Sequence, residues 1–265
     1  MKKIFLSIGV AVLLCGTAFA DNWLEKDLAP LSKDVKTEIV KMYNDIFQNA
    51  AKERIKIVRT ADELAKAIES NVDKAKRDAL IQQLTNQVVT LSDDMRMDYS
   101  KLSAKAGSLS PKFEKEKAGD DDADDFYNKI FTSEGVEDIY DLLDEAGIQT
   151  PTKKQIKAQY GNMIRTVKNN FRNAYNRYRG FWMAGITSGT EFENAKKAYA
   201  EAVKNMITLS ADIYAAEIMK LNPQQIKQVA NERQRITNKQ IRKINEKATT
   251  VNIKTQNRLN SLEQQ

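Results

Sequence analysis

The chain has 265 residues, with 42 Lys and Arg against 36 Asp and Glu, a single cysteine and no histidine. The cysteine, Cys15, lies in an N-terminal segment that we expect to be removed, so His- or Cys-based metal sites and Cys-His or Ser-His-Asp catalysis are excluded. A hydrophobic content of 42% with only four prolines favours long helices over a disordered chain. We predict no catalytic residues, no cofactor and no bound metal.

Residues 1–20 have the pattern of a bacterial export signal. Two lysines precede a short apolar run, and Ala-Phe-Ala at residues 18–20 is typical of a cleavage site. The apolar run, residues 4–14, is too short to span a bilayer. We expect the mature chain to begin at Asp21 and to be periplasmic or extracellular.

Residues 21–106 are predicted to form a long N-terminal helical segment. Neither Gly nor Pro occurs between Leu31 and Ala106, and apolar residues recur mostly at steps of three or four, as on one face of a helix. One continuous helix would be about 100 Å long. The alternative is an αα-hairpin folded near Ser70-Asn71, where small polar residues interrupt the pattern. We favour the long helix, continuous or broken, because no strong turn signal lies there.

Residues 107–151 are predicted to form a small acidic helical insert. Glycines and prolines interrupt this segment, and Ser110-Pro111 indicates a helix start. Residues 136–146 predict a short helix that ends at Gly147. Residues 114–145 contain thirteen acidic residues and three lysines, so the insert is strongly negative.

Three aspartates in the insert, Asp120, Asp122 and Asp124, alternate as they do in a calcium-binding loop. Such a loop also requires Gly at its sixth position and Glu at its twelfth, and those positions hold Asp125 and Phe131. We therefore predict an acidic linker rather than a calcium site.

A helical hairpin over residues 152–222 and a basic C-terminal helix over residues 223–265 complete the prediction. Residues 160–181 and 192–216 carry apolar stripes with steps of three and four. The stripe of the C-terminal helix is weaker, so we expect that helix to protrude from the bundle. Three helix starts have capping-box or N-cap patterns: Thr152 with Gln155, Thr190 with Glu193, and Asn222-Pro223 with Gln225.

Charge is segregated along the chain. Residues 151–190 contain eight basic residues and no acidic one, and residues 224–265 contain nine basic and three acidic residues. This pattern is typical of solvated helix faces, and it also fits an acidic insert that lies against the basic helices or two partner surfaces of opposite sign. Anionic lipid or polysaccharide surfaces are candidate partners outside the cytoplasm. Export argues against nucleic acid as a partner.

Two pairs of adjacent carboxylates, Asp93-Asp94 and Glu137-Asp138, were considered as acid–base couples. Neighbouring residues on a helix point to different sides, so neither pair is predicted to act in catalysis.

The segment RYRGFWMAGITSGTEF, residues 177–192, connects the two helices of the predicted hairpin. We favour the interpretation that its apolar residues fold back onto the end of the bundle, because apolar side chains are usually buried. The alternative is an exposed aromatic tip that dips into a membrane interface or a partner groove. The candidate contact residues are Arg177, Arg179, Phe181, Trp182, Met183 and Ile186.

These features predict an all-α protein: an elongated bundle of long amphipathic helices with a small acidic helical insert and a protruding C-terminal helix. In layout, it resembles the helical minor pilins of type IV secretion systems, which combine long helices with a small inserted lobe. Because the sequence shows no constellation of catalytic residues, we predict a non-catalytic subunit that binds envelope or surface proteins and can also form homo-oligomers. The resemblance in layout makes a secretion-apparatus or pilus-associated subunit one candidate. The alternative is a secreted membrane-active protein similar to α-helical cytolysins, with residues 181–186 as its lipid contact.

Overall fold

The computed structural model describes residues 31–106 and 134–264. This part of the chain contains helices and turns and no strand, which confirms the all-α class. The predicted signal segment, the helix start at Ser110-Pro111 and the aspartates at 120, 122 and 124 lie outside the described residues. In chain order the helices are α1 (Lys33–Glu69), α2 (Lys74–Ala106), α3 (Glu134–Glu145), α4 (Lys153–Met183), α5 (Thr190–Ile218) and α6 (Pro223–Glu263).

Helices α1 and α2 pack against each other as a hairpin that reverses near Ser70-Asn71. This confirms the alternative prediction, and the long helix, continuous or broken, that we favour from the sequence is wrong. The Asn71 N–H donates to the Ile68 carbonyl at 3.0 Å. The Val72 N–H donates to the Ala67 carbonyl at 2.9 Å, and the two bonds together form a Schellman motif. Asn71 has a φ of 49°, a left-handed conformation in which Asn is enriched. Asp73 then accepts a first-turn N–H of α2 at 2.9 Å, so the segment supplies both a helix stop and a helix start.

Helix α6 lies along α1 and does not protrude from the described bundle, contrary to prediction. The Lys33 ammonium, at the start of α1, donates to the Glu263 carbonyl at the end of α6, 3.1 Å away. Midway along the pair, the Gln48 amide donates to the Ala248 carbonyl at 2.8 Å. Leu262, in the last turn of α6, is buried. The weak apolar stripe misled the prediction because the buried face of α6 also contains polar residues: Arg233, Thr237, Gln240 and Thr255.

The predicted hairpin over residues 152–222 is confirmed as α4 and α5, which pack against each other. The capping boxes at Thr152 and Asn222 are both present. The one predicted at Thr190 is wrong, because Gly189 is the N-cap with a φ of 101° and Thr190 is already helical. The short insert helix is confirmed as α3, which packs on α5 and α6. Gly147, with a φ of 76°, lies just after its last residue.

A buried ion cluster joins α1, α5 and α6. The Arg233 side chain of α6 is only 4% exposed, and it donates to both Glu69 carboxylate oxygens, at 2.6 and 3.0 Å, and to Asp62. The Tyr214 hydroxyl of α5 donates to Glu69 at 2.6 Å. Burial alone would lower the pKa of Arg233, but the Glu69 and Asp62 carboxylates raise it above its ordinary value. The cluster therefore fixes how these three helices meet.

Candidate contact surface on helix α4 and the hairpin tip

An aromatic stack joins α4 to α5. Phe171 and Tyr175 of α4 lie with ring centroids 6.0 Å apart, and Tyr178 stacks on Tyr199 of α5 at 5.2 Å with nearly parallel planes. Phe192 of α5 contacts Tyr178 at 5.6 Å. All five rings are buried, as their apolar stripe predicts. Such stacked and tilted pairs add stability beyond the burial of their area, so this end of the hairpin is well fixed.

A carboxylate from α2 anchors the stack. Asp93 is 8% exposed; one of its oxygens accepts from the Tyr178 hydroxyl, and the other lies 2.6 Å from the Lys196 ammonium of α5. Burial and the hydrogen bond to Asp93 raise the pKa of Tyr178, and the same carboxylate raises the pKa of Lys196. Asp93 therefore holds α4 and α5 against α2. Sequence reasoning missed this role because both of its partners are distant in sequence.

An arginine of α2 completes the anchor. The guanidinium carbon of Arg96 lies 5.5 Å from the centroid of the Tyr175 ring and 5.8 Å from that of Tyr178, within the range of a cation–π contact. The Arg96 charge and, more strongly, burial lower the pKa of Arg179 on α4. Two like charges thus lie close together beside the stack.

The tip, defined as residues 181–189 between α4 and α5, is partly folded back and partly exposed. Phe181 and Trp182 are half-buried and meet Phe192 edge-on, with centroids 6.3 and 5.9 Å away. Met183 is 59% exposed and Ile186 45%. The two aromatic residues are thus partly folded back, as in the favoured interpretation, whereas Met183 and Ile186 are exposed. Contact of the tip with a membrane or a partner stays a prediction.

A second Schellman motif fixes the backbone of the tip. The Gly185 N–H donates to the Trp182 carbonyl at 3.1 Å, and the Ile186 N–H donates to the Phe181 carbonyl at 2.8 Å. Gly185 has a φ of 72°, which a residue without a Cβ adopts at little cost. The exposed side chains are therefore presented by a backbone with defined hydrogen bonds.

The basic residues of α4 gather on one side of the helix. At about 100° of rotation per residue, six of them fall within a sector of roughly 80°, which lies beside the buried face. We call them the cationic flank: Lys154, Lys157, Arg165, Lys168, Arg172 and Arg179. Arg177 projects from the opposite side of α4 and is exposed. Met183 falls in the same sector as the cationic flank, so the flank leads to the exposed tip.

Most of the cationic flank has no carboxylate partner within residues 31–106 and 134–264. No ion pair joins a described acid to Lys154, Lys157, Arg165, Lys168 or Arg172. The described end of the acidic insert is paired elsewhere, since Glu145 of α3 lies 3.0 Å from Arg235 of α6. That contact agrees with the predicted approach of the insert to a basic helix, and it involves α6 rather than α4.

A shallow groove of about 560 Å³ on α6 is lined by Asn, Thr and charged side chains together with Ile241. No group of three or more His, Cys, Asp or Glu side chains that could hold a metal occurs in the described ranges. Among the described helices, none is long and apolar enough to cross a membrane.

Comparison of the chain with protein-family models, with curated proteins and with solved structures finds no match. The function is therefore argued from the geometry of α4 and the tip.

Proposed function

We propose that the protein is an exported, non-catalytic interaction subunit of the bacterial envelope or surface, and that the tip is its contact with a partner protein. The observation that carries the proposal is the exposure of Met183 and Ile186 on a fixed tip. Met183 and Ile186 are three positions apart on an ordered turn, and exposed apolar surface that forms a contiguous patch is typical of interaction sites. The layout that resembles helical minor pilins makes a secretion-apparatus or pilus-associated subunit the first candidate.

The tip is suited to binding because its backbone and aromatic side chains already have a fixed conformation in the unbound protein. The Schellman motif at Gly185 and the edge-on contacts of Phe181 and Trp182 with Phe192 restrict the backbone and the aromatic rings. A fixed surface loses less conformational entropy on association than a flexible loop. Met183 adds an unbranched, adaptable side chain of the kind that fits irregular apolar pockets.

A non-catalytic role is supported by how the buried carboxylates are used. Asp93 binds Lys196 and Tyr178, and Glu217 accepts from the Tyr140 hydroxyl at 3.0 Å and lies 2.8 Å from the Lys220 ammonium. Groups held in this way link helices and are not presented to a substrate. No cofactor enters the proposal.

Site-specific photo-crosslinking tests the proposed contact. A benzophenone amino acid is introduced at Met183 in the full chain, which is expressed in its own cells and irradiated. Ile253 on α6 is the matched control position, because its side chain is similarly exposed, at 54%. We expect a discrete crosslinked partner from position 183 and none from position 253. Equal labelling from both positions, or none from 183 in any fraction, would contradict the proposal.

The export part of the proposal has its own measurement. Amino-terminal sequencing of the protein recovered from outside the cytoplasm is expected to begin at Asp21. Recovery of the unprocessed chain in the cytoplasm alone would refute export without bearing on the tip.

A membrane-active protein is the second candidate, and the cationic flank leading to exposed Met183 is the observation that favours it. In that case the purified protein should release a trapped dye from lipid vesicles, and Trp182→Ala should weaken the release. Absence of leakage, with lipid binding unchanged by Trp182→Ala, removes this candidate.

A further inference from the structure

We propose that the cationic flank of α4 is a docking surface for anionic lipid headgroups, so that the protein lies peripherally on a membrane with α4 along its surface. This goes beyond the proposed protein contact at the tip and does not depend on it. It also differs from membrane lysis, because it requires binding and no leakage.

The first support is electrostatic. Lys154 and Arg179, at the ends of the flank, are separated by about 37 Å along the helix axis, at 1.5 Å per residue. Arg165, Lys168 and Arg172 follow one another at three- and four-residue steps, where like charges on a helix repel each other. Because α4 contains no acidic residue and no carboxylate within residues 31–106 and 134–264 pairs with these three cations, nothing in the described part of the chain offsets this repulsion. A row of anionic groups would relieve it.

The second support distinguishes lipid from other anions. The flank ends at Met183, which lies in the same sector of α4 and is 59% exposed, and Ile186 follows at 45% exposure. Trp182 is half-buried beside them. A bilayer surface offers negative headgroups next to an apolar interior, and the flank with its tip presents the complementary charge and apolar groups in that order. A polysaccharide would use the charge alone, and a protein that binds the tip would not need the length of the flank.

The outer face of α4 sets the depth of binding. This face lies between the cationic flank and the side that carries Arg177. Its large exposed side chains include four amides: Asn162, Asn169, Asn173 and Asn176. Amides can hydrogen-bond with headgroups but gain nothing from hydrocarbon. The helix therefore rests at headgroup level, with only the tip reaching deeper, and binding should weaken with salt.

Co-sedimentation of the full-length protein, as purified from the exporting cells, with vesicles tests the proposal. The vesicles contain phosphatidylcholine alone or with an equal part of phosphatidylglycerol, at low and high salt. The test variant is Arg165→Gln/Arg172→Gln. The matched control is Arg59→Gln/Arg242→Gln, which removes the same charge from two exposed arginines on α1 and α6, away from the flank and the tip.

We expect binding to the anionic vesicles only, lost at high salt. At about 1 kcal/mol for each cation near an anionic surface, the flank variant should bind roughly thirtyfold more weakly, and the control variant should bind like the original protein. Met183→Gln should also weaken vesicle binding but leave binding to a sulfated polysaccharide unchanged. Circular dichroism confirms that each variant remains folded.

Three outcomes would overturn the proposal: no binding to anionic vesicles at low salt, equal weakening by the flank and control variants, or no effect of Met183→Gln on vesicle binding. The last would indicate a polyanion without apolar groups as the ligand. A crosslinked partner at position 183 together with no vesicle binding would refute lipid docking and retain the proposed interaction function.

Discussion

Replacing Arg233 by Met should be among the most destabilising single changes in the bundle. The Arg233 side chain is 4% exposed, its partner Glu69 5% and Asp62 16%, so solvent screens this cluster poorly. Arg233→Met removes the only cation that the structure places against both carboxylates within the described residues. Tyr214 and Thr237 also donate to the two carboxylates, but a hydroxyl cannot neutralise a charge. Loss of one partner from a buried ion pair costs about 3–5 kcal/mol.

The measurement is urea denaturation of the full chain followed by circular dichroism, with a thermal scan expected to show a Tm lower by roughly 6–20 °C. Arg242→Met is the matched control, because Arg242 lies on the same helix and pairs with Glu246 at 3.4 Å, with both side chains more than 60% exposed. That change should cost less than about 1 kcal/mol. Adding Glu69→Gln and Asp62→Asn to Arg233→Met should recover much of the loss. A cost below about 1 kcal/mol for Arg233→Met would refute the assignment of a buried cluster.

Three further predictions concern the helix ends and the buried phenols. Gly185→Ala should lower the free energy of unfolding by about 1 kcal/mol, because Gly185 has a left-handed φ. Gly180→Ala, inside α4 with open space around it, should raise that free energy by up to about 1 kcal/mol. Equal effects of the two changes in urea denaturation would contradict the Schellman motif. Thr152→Ala should cost about 1 kcal/mol, and Thr190→Ala much less, because only Thr152 caps a helix; a reversed order would refute the helix starts. A buried tyrosine whose pKa in the folded protein lies above the usual value of 10.0 contributes to the free energy of unfolding. This contribution is fully present below about pH 10 and is lost as the pH rises further. Ultraviolet titration should therefore find at least three of the nine tyrosines, Tyr140, Tyr178 and Tyr214, protonated until the helices unfold. Titration of all nine near pH 10 in a protein that keeps its native helical spectrum would contradict this.

The helices and most of their buried faces were predictable because the signals are local. Apolar residues that recur every three or four positions reflect helix geometry alone. A capping box needs only two residues three positions apart, as at Thr152 and Asn222. Thr190 shows the limit of such a pattern. Gly189 precedes it with a φ of 101°, so the helix starts at the glycine and the Thr side chain caps nothing.

Two parts of the fold were missed for different physical reasons. The reversal at Asn71 uses a non-glycine residue in the left-handed region and an Asp cap, and both are weak signals in the absence of Gly or Pro. The packing of α6 depends on polar residues that are buried because they have specific partners, as Arg233 has in Glu69. A count of apolar residues classes such a face as solvent-exposed, and only the tertiary contact shows otherwise.

The candidate site was predictable in position but not in form. The crowding of arginines and aromatics after Tyr178 located the tip, whereas periodicity could not show which of its apolar residues find a partner. Phe181 and Trp182 are covered because Phe192 of the next helix meets them edge-on, and Met183 has no such neighbour and stays exposed. Asp93, which anchors the hairpin from α2, carries no signal in the sequence because its two partners lie on α4 and α5.

Among the described helices, α4 has fewer neighbours than α5. Helix α5 packs against α1, α2, α3 and α4, whereas α4 packs mainly against α5. The inner face of α4 is therefore committed to the aromatic stack, and its other sides face outward. Asp93 anchors the hairpin near the tip, so the exposed Met183 and the cationic flank are held at fixed positions relative to α2. A helix that needed only to fold would gain from acids among its eight cations, since opposite charges three or four residues apart stabilise helices. Their absence from α4 is a cost in stability that a negatively charged partner would offset.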